Sequence, residues 1–242
     1  MSKSVATRSD GRLTTQIRPV QVDWDPMGFA LSSAIISTGQ TSVLCSVSLE
    51  ESVPKWLSNT GKGWLSAEYR LLPGSTVNRQ SREVLKLSGR TQEIQRLIGR
   101  SLRAVIDMSS LGERTLLIDC DVIQADAGTR TAAVTGSWLV LKRGLGRLLE
   151  KGLLVKQPLV GQVAAVSVGI VNDISLLDLD YSEDSKADVD LNVVMNKDGK
   201  LLEIQGTAEK SPFSRQSLNG LLDLAEQGIS ELHSAQMSFL EH

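Results

Sequence analysis

Between Gly89 and Ile106 the apolar residues recur every three or four positions, which commits this stretch to a helix with one buried face. The stripe consists of Ile94, Leu97, Ile98, Leu102, Val105 and Ile106. Gly89 allows the chain to turn into the helix and places Arg90 at its N-terminal end. A helix with one apolar face must pack on another layer, so the rest of the chain has to supply one.

That layer is predicted to be β-sheet, because several segments alternate apolar and polar residues or are apolar throughout. The predicted strands lie at Thr41 to Leu49, Leu116 to Ile123, Val163 to Val171, Leu176 to Asp180, Val189 to Met195 and Lys200 to Gln205. The last two flank Asn196-Lys197-Asp198-Gly199, which indicates a hairpin turn.

Two further helices complete the prediction. Gly128-Thr129 opens a helix from about Arg130 to Leu149, whose small residues would let it pack closely on a sheet. Ser214 is a good N-cap for a final helix. Strand pairs followed by helices predict an α+β fold with helices packed on the sheet faces, and we expect residues 1–242 to form a single domain.

Composition excludes some classes of protein. The 242 residues are 41% hydrophobic and 22% charged, which is typical of a globular chain. No apolar run approaches the ~20 residues of a membrane span, and Met1 to Arg12 lacks the apolar region of a secretory signal. We therefore expect a cytoplasmic protein without membrane contact. Cys45 and Cys120 fit buried free thiols in strands, although a pairing between them stays open.

Charge is unevenly distributed although the net charge is only −2. Lys62 to Arg103 contains nine basic and three acidic residues, whereas Val171 to Asp198 contains eight acidic and two basic residues. The basic segment is suited to a polyanion, and the acidic one to a hard cation such as Mg²⁺. The acidic segment is equally compatible with a solvated loop.

Two arginines at predicted helix starts indicate a phosphate site. Arg90 opens the first helix and Arg130 the second, where backbone N–H groups and the helix dipole favour an anion. The guanidinium fork adds paired hydrogen bonds to phosphate. Arg96, Arg100 and Arg103 lie on another face of the first helix, which is compatible with a solvent-facing surface.

Other catalytic constellations are missing from the sequence. The only histidines are His233, expected at the surface, and His242, so a Ser-His-Asp triad or a zinc site is not indicated. No phosphate-binding P-loop and no dinucleotide-binding glycine motif are present.

Long blocks of this sequence resemble the ribonuclease PH family, in the order of that family and over nearly the whole chain. They are Ser9-Asp10-Gly11-Arg12, Gly63 to Tyr69, Gly89 to Arg96, Asp119 to Thr131, Val163 to Val171, Glu183-Asp184-Ser185, Asp190 to Met195 and Gln205 to Glu209. The resemblance implies the ribosomal protein S5 domain 2-like fold, with mixed sheets and helices on their faces, and a homohexameric ring built as a trimer of dimers.

The implied activity is a phosphorolytic 3′→5′ exoribonuclease that trims tRNA precursors. Inorganic phosphate is its co-substrate, nucleoside diphosphates are released, and the reaction can run backwards as a nucleotidyltransferase. By this resemblance Arg90, Gly128, Thr129 and Arg130 bind phosphate. The same resemblance makes Asp184 and Asp190 the Mg²⁺-binding and acid-catalytic pair. Which aspartate, or a metal-bound water, protonates the leaving 3′-oxygen stays open.

The basic loop departs from the family pattern. Gly74 stands where many relatives have an arginine that contacts tRNA, and Arg70 is an additional arginine that would substitute for it. We expect Arg70, Arg79, Arg82 and Arg96 to contact RNA. Two alternatives remain: a non-catalytic RNA-binding ring subunit of an exosome-like assembly, and a phosphate-dependent enzyme acting on a small nucleoside.

Overall fold

The computed structural model describes residues 8–241, and within them nine strands, five α-helices and one short 3-10 helix (Lys55–Leu57) are formed. The strands are β1 (Val20–Trp24), β2 (Ser32–Thr38), β3 (Thr41–Glu50), β4 (Trp64–Leu71), β5 (Thr115–Gln124), β6 (Val163–Val171), β7 (Ile174–Leu177), β8 (Val189–Asn196) and β9 (Leu201–Ala208). The helices are α1 (Gly89–Arg103), α2 (Met108–Leu111), α3 (Thr129–Glu150), α4 (Tyr181–Asp184) and α5 (Arg215–Leu240). The predicted α+β class is therefore confirmed.

The first sheet has the strand order β1-β2-β3-β5-β4. Neighbouring strands are antiparallel except β4 and β5, which are parallel. Parallel neighbours need a long crossover, and the segment that contains α1 provides it. This crossover brings the N-terminal end of α1 back to the C-terminal end of β4.

The second sheet is fully antiparallel and has the order β7-β6-β8-β9. The predicted hairpin between β8 and β9 is confirmed. Gly199 has a φ of +72°, and the side chain of Asn196 accepts hydrogen bonds from the backbone N–H groups of Asp198 and Lys200. Glycine and asparagine suit this turn because it needs a left-handed residue and a local acceptor.

Helix α3 packs on both sheets. On one side Gly136 approaches the first sheet so closely that an added Cβ would lie 2.6 Å from Ile36 and 2.9 Å from the Cys45 sulfur. On the other side Thr135 Oγ1 accepts a hydrogen bond of 3.2 Å from the backbone N–H of Ala165 in β6. Helix α5 covers the opposite face of the second sheet, where a separate apolar cluster includes Val166, Leu191, Val193, Leu221, Ala225 and Ile229.

The predicted helix starts are confirmed. Ser88 caps α1 by accepting a hydrogen bond of 3.1 Å from the backbone N–H of Thr91. Ser214 caps α5 by accepting one of 3.0 Å from the backbone N–H of Ser217. These caps satisfy N–H groups that have no partner within their helices.

Two expectations are wrong. The strand predicted from Leu176 to Asp180 ends at Leu177, because Asp178 takes a left-handed conformation with φ of +52° and its side chain is buried. His233 is buried rather than exposed, and its Nδ1 lies 3.2 Å from Oε1 of Gln236. His242, the other histidine, lies outside the described residues.

The two cysteines face each other across the first sheet. Cys45 in β3 is the direct partner of Cys120 in β5, and their sulfur atoms are 3.9 Å apart. Both are buried free thiols, as the strand contexts predict, and the contact with the Cys120 thiol, followed by burial, raises the pKa of Cys45. A high pKa disfavours the reactive thiolate of Cys45, and both side chains pack in the core.

Candidate active site

A cleft of about 430 Å³ opens where the N-terminal ends of α1 and α3 meet α4. The segment between β4 and α1, residues 72–88, forms one wall. The cleft is lined by Leu71, Thr76, Val77, Asn78, Gln80, Arg90, Ala125, Ala127, Thr129, Tyr181 and Asp184. Arg90, Thr129 and Asp184, three of the residues singled out in the sequence, therefore line one cavity.

Arg90 is the second residue of α1 and is exposed to solvent. Its position follows from the Ser88 cap, which fixes where the helix begins. At this helix end the guanidinium and the positive end of the dipole act on the same region of the cleft. The local geometry therefore matches the arrangement that the sequence predicts for a bound anion.

The turn before α3 is left-handed at two successive residues, Ala127 with φ of +55° and Gly128 with φ of +62°. Gly128 occupies the N-cap position of α3 and offers no side chain that could accept from the first helical N–H groups. Uncapped N–H groups at a helix start are a binding site for anions. At this site glycine also avoids a clash, because an added Cβ would lie 2.7 Å from Nη2 of Arg18.

Thr129, the first residue of α3, is buried, and its hydroxyl oxygen lies 2.8 Å from that of Tyr69 in β4. Burial raises the pKa of Tyr69, so its hydroxyl stays protonated and can act as the donor. If Tyr69 donates, Thr129 Oγ1 keeps its own proton to offer to the cleft. Strand β4 of the first sheet thus controls the orientation of this side chain.

Arg130 extends from α3 toward the second sheet. Its Nη1 donates a hydrogen bond of 2.7 Å to Oε1 of Gln205 in β9 and lies 3.3 Å from a carboxylate oxygen of Glu93 in α1. Nε2 of Gln205 in turn donates to Glu93 at 2.7 Å. The three side chains hold one another, so the guanidinium is already oriented at the junction of α1, α3 and β9.

Asp184 ends the short helix α4, and Asp190 lies in β8 opposite Thr207 of β9. Burial raises the pKa of Asp184, an effect that Arg90 and Arg130 partly offset. Burial and then the charge of Asp184 raise the pKa of Asp190 to about 6. These mutual effects mean that the two carboxylates and the two arginines lie within electrostatic range of one another.

Oδ1 of Asp190 is buried and has no hydrogen-bond partner, which is costly for a carboxylate oxygen. No group of three or more His, Cys, Asp or Glu side chains within residues 8–241 is arranged to hold a metal ion. Mg²⁺, however, commonly takes only one or two carboxylates and completes its shell with water and substrate phosphate. The Asp184 and Asp190 pair fits that donor set.

The four arginines expected to contact RNA lie in different places. Arg79 and Arg82 are exposed in the segment of residues 72–88 that borders the cleft. Arg70 pairs with Glu68 at 3.2 Å and donates to its neighbour's carbonyl oxygen, so it is partly neutralised. Arg96 is exposed on another side of α1, in a groove with Ser66, Ala67, Leu87, Gln92, Gln95 and Arg103.

Sequence reasoning did not identify Tyr69, Glu93 or Gln205 as part of this site. All three fall inside the sequence blocks quoted above for the family resemblance, which was the available signal. Their partners are 60, 37 and 75 residues away along the chain, so no local pattern could pair them.

None of the described helices is both long and apolar enough to span a membrane.

Two family models match this chain, one after the other. The model described as the 3′ exoribonuclease family, domain 1, matches residues 16–143, and that of domain 2 matches residues 161–228. The two matches together span both sheets and all the site residues discussed above.

Curated relatives match the chain from end to end. The ribonuclease PH of Prochlorococcus marinus (strain MIT 9313) is 70% identical over 240 residues, which covers 99% of this chain and 98% of the relative. The ribonuclease PH of Synechococcus elongatus (strain ATCC 33912 / PCC 7942 / FACHB-805) is 56% identical over 233 residues, covering 96% and 98%.

Solved structures share the fold at lower identity. The Archaeoglobus fulgidus exosome with RNA bound to the active site aligns with a TM-score of 0.81 and 20% identity, covering 94% of this chain and 92% of that one. Rice (Oryza sativa) Rrp46 aligns with a TM-score of 0.78 and 17% identity, covering 96% and 100%. The architecture is the ribosomal protein S5 domain 2-like fold.

Proposed function

This chain belongs to the 3′ exoribonuclease family that includes ribonuclease PH, and we propose that it trims the 3′ ends of tRNA precursors by phosphorolysis. Inorganic phosphate attacks the last phosphodiester bond, a nucleoside diphosphate leaves, and the reverse reaction adds a nucleotide. One observation carries the proposal. Arg90 and Asp184 line one cleft, and the charges of Arg90, Arg130 and Asp184 all act on the carboxyl group of Asp190.

The arginine side of the cleft suits the attacking phosphate. Phosphate is a poor nucleophile toward another phosphate because both are anions, so attack requires neutralisation and alignment. We assign this role to Arg90, Arg130 and the N–H and hydroxyl groups of Gly128 and Thr129. Arg130 is preoriented by Glu93 and Gln205, which reduces the entropy lost when phosphate binds.

The carboxylate side suits a divalent cation. Asp184 and Asp190 would hold Mg²⁺, since Oδ1 of Asp190 is a buried acceptor without a partner. When bound, the ion would supply positive charge that offsets the charge of the scissile phosphate. Of the two carboxyl groups, the one that the cation does not ionise would protonate the leaving 3′-oxygen.

Substrate RNA would follow the basic wall of the cleft. Arg79 and Arg82 are exposed beside it and are proposed to contact the tRNA backbone, with Arg70 as a weaker contact because Glu68 pairs with it. Arg96 would contact RNA only where the molecule extends around α1. Gly74 leaves its own position without a charge.

We further propose a homohexameric ring, a trimer of dimers, because a single basic wall is too short to hold a tRNA. A chain of the Archaeoglobus fulgidus exosome shares the fold. Light scattering should give a mass near six times the 26.2 kDa of one chain. We propose that residues 1–242 act as one domain, because α3 packs on both sheets. The cytoplasm is the proposed location, which suits two free thiols.

A non-catalytic exosome-like subunit is the main alternative. A ring wall without catalysis has no need of the phosphate arginines or the paired carboxylates, yet Arg90, Arg130, Asp184 and Asp190 are all present and lie within electrostatic range of one another. The other alternative, an enzyme that acts on small nucleosides, is distinguished by how activity depends on RNA length. Such an enzyme would not degrade an RNA chain.

The decisive experiment incubates the protein with a 3′-extended tRNA and Mg²⁺, with and without inorganic phosphate. Shortening from the 3′ end with release of nucleoside diphosphates, only when phosphate is present, is the expected result. Nucleoside monophosphates released in phosphate-free buffer would contradict phosphorolysis, and no shortening under either condition would favour the non-catalytic subunit.

A further inference from the structure

Three arginines near the start of the described chain converge on one buried aspartate behind the cleft. The carboxylate of Asp178 accepts hydrogen bonds from Nε and Nη2 of Arg18 at 3.0 and 2.7 Å. Its backbone carbonyl oxygen accepts from Nη2 of Arg8 at 2.8 Å and from Nη1 of Arg12 at 3.0 Å. Asp178 is only 2% exposed, and its left-handed backbone turns the chain from β7 toward α4.

Arg18 connects this cluster to the phosphate turn. Its Nη1 donates a hydrogen bond of 2.6 Å to the carbonyl oxygen of Asp126, two residues before Gly128. Its Nη2 lies where a Cβ of Gly128 would clash, at 2.7 Å. The guanidinium group therefore packs directly against the left-handed turn. The carboxylate of Asp178 in turn holds the guanidinium group in this position through two hydrogen bonds.

Arg8 connects the cluster to the carboxylate side. Its Nε donates a hydrogen bond of 2.7 Å to Oε1 of Glu183, and its Nη2 pairs with Oε2 of the same carboxylate. Glu183 also accepts from the backbone N–H of Asp180 at 3.1 Å, which closes a capping box around the single turn of α4. Asp184 is the next residue, so this turn sets where its carboxylate lies.

Burying this many charged side chains carries a large desolvation penalty. Side chains of Arg8, Arg18 and Asp178 are each about 3% exposed, and the desolvation of a buried ion pair often cancels its attraction. Apolar residues of similar volume would fill the same space without that desolvation penalty. What the ion pairs add is direction, because the fork of arginine fixes the orientation of its partners.

We propose that Arg8, Arg18, Asp178 and Glu183 form a positioning network with two separable outputs. The Arg18–Asp178 pair sets the Gly128 turn and hence the affinity for inorganic phosphate. The Arg8–Glu183 pair sets α4 and hence the placement of Asp184 for the chemical step. The inference rests on the proposed function, since it assigns residues behind both halves of that site.

Lysine substitutions separate the two outputs, because lysine keeps the charge and loses the fork. In Arg18→Lys, the dissociation constant of inorganic phosphate, measured by calorimetry on the full chain without RNA, should rise about tenfold. In Arg8→Lys, that constant should stay within about twofold while kcat falls about tenfold, because a small displacement of a reacting group is costly.

Arg147→Lys is the matched control. Arg147 donates to both carboxylate oxygens of Asp25, at 2.9 and 2.8 Å, and to the carbonyl oxygen of Leu31, far from the cleft. The control loses a comparable arginine fork, so it should keep the parent's kcat and phosphate affinity even if its melting temperature falls.

Equal losses of kcat and phosphate affinity in both variants, or parent values in both, would overturn the network. If either lysine variant fails to fold, Glu183→Asp replaces Arg8→Lys and Asp178→Asn replaces Arg18→Lys, with the same split expected. Asparagine tolerates the left-handed backbone at position 178. A parent chain that binds phosphate but shows no phosphorolysis would contradict the proposed function instead, while the predicted change in phosphate affinity of Arg18→Lys stays testable.

Discussion

The hydroxyl oxygens of Tyr69 and Thr129 lie 2.8 Å apart, which joins the core of the first sheet to the first residue of α3. In Tyr69→Phe this hydrogen bond is lost and Thr129 can rotate away from the cleft. A hydrogen bond contributes about 1 kcal/mol, so the KM for phosphate should rise about fivefold. Steady-state kinetics at varied phosphate concentration measures it.

Thr115→Val is the control for that substitution. Thr115 Oγ1 donates to the carbonyl oxygen of Ser52 at 2.7 Å, at the opposite end of β5 from the cleft. Thr115→Val also removes the hydrogen bond of a buried hydroxyl group, but at a position that does not contact α3. An unchanged KM in Tyr69→Phe, or an equal increase in Thr115→Val, would show that Tyr69 does not orient Thr129.

Arg130→Ala and Arg90→Ala should each abolish phosphorolysis, with a loss of at least about 100-fold in kcat/KM, while RNA binding changes little. Each side chain acts on a small anion at a helix start, whereas RNA affinity is distributed over many basic groups. Activity assays with RNA filter binding on the same preparations give both values. A loss of RNA binding in proportion to activity would contradict the assignment to the attacking phosphate.

Asp190→Asn should abolish Mg²⁺-dependent activity and, without Mg²⁺, raise the melting temperature at pH 8. The pKa of Asp190 is raised from 3.8 to about 6. As pH rises through this window the unfolded chain loses the proton first, so the ionised residue lowers the free energy of unfolding above pH 6, by about 3 kcal/mol. Below pH 4 the two proteins should melt alike.

Asp198→Asn is the control for charge removal, since Asp198 is exposed in the hairpin turn between β8 and β9. Thermal melts in EDTA at pH 4 and pH 8 measure both variants against the parent. If Asp190→Asn melted below the parent at pH 8, the carboxylate would be stabilising the fold rather than serving the site.

Removing Arg79 and Arg82 together, both to alanine, should weaken tRNA trimming and leave phosphorolysis of a short oligonucleotide unchanged. The slope of log affinity for tRNA against log salt concentration should become shallower by about 1 to 2, one counterion contact per residue. Lys197→Ala with Lys200→Ala removes the same charge at the hairpin turn, away from the cleft. Equal losses on tRNA and on the short oligonucleotide would contradict a docking role.

Local patterns predicted the elements that local chemistry determines. Apolar residues three and four apart marked α1, and Asn196 with Gly199 marked the β8–β9 turn. The pattern failed at Asp178, where alternation predicted a strand. The conformation there depends on Arg18, 160 residues away, and no sequence window contains both residues.

The sequence predicts individual residues of the candidate site but not how they are arranged in space. Helix-start reasoning predicted Arg90 and Arg130 as phosphate ligands, and the family resemblance predicted Asp184 and Asp190. That the four charged groups lie within electrostatic range of one another follows from the strand order and from α3 lying between the sheets. The prediction that His233 is exposed was wrong for a similar reason. Its burial depends on contacts with Gln162 and Gln236 rather than on the pattern of its own helix.

The position of α3 limits how the two halves of the chain, the segments matched by the two family models, can have evolved. The first family model ends at residue 143 and the second begins at residue 161, so the sequence boundary falls at the end of α3. Yet Thr135, well inside the first half, bonds to Ala165 in the second. Either half expressed alone would leave one apolar flank of this helix or of β6 in water. The two halves should therefore be inherited and exchanged between relatives as one unit, and mixed halves should fold only where the residues facing α3 match.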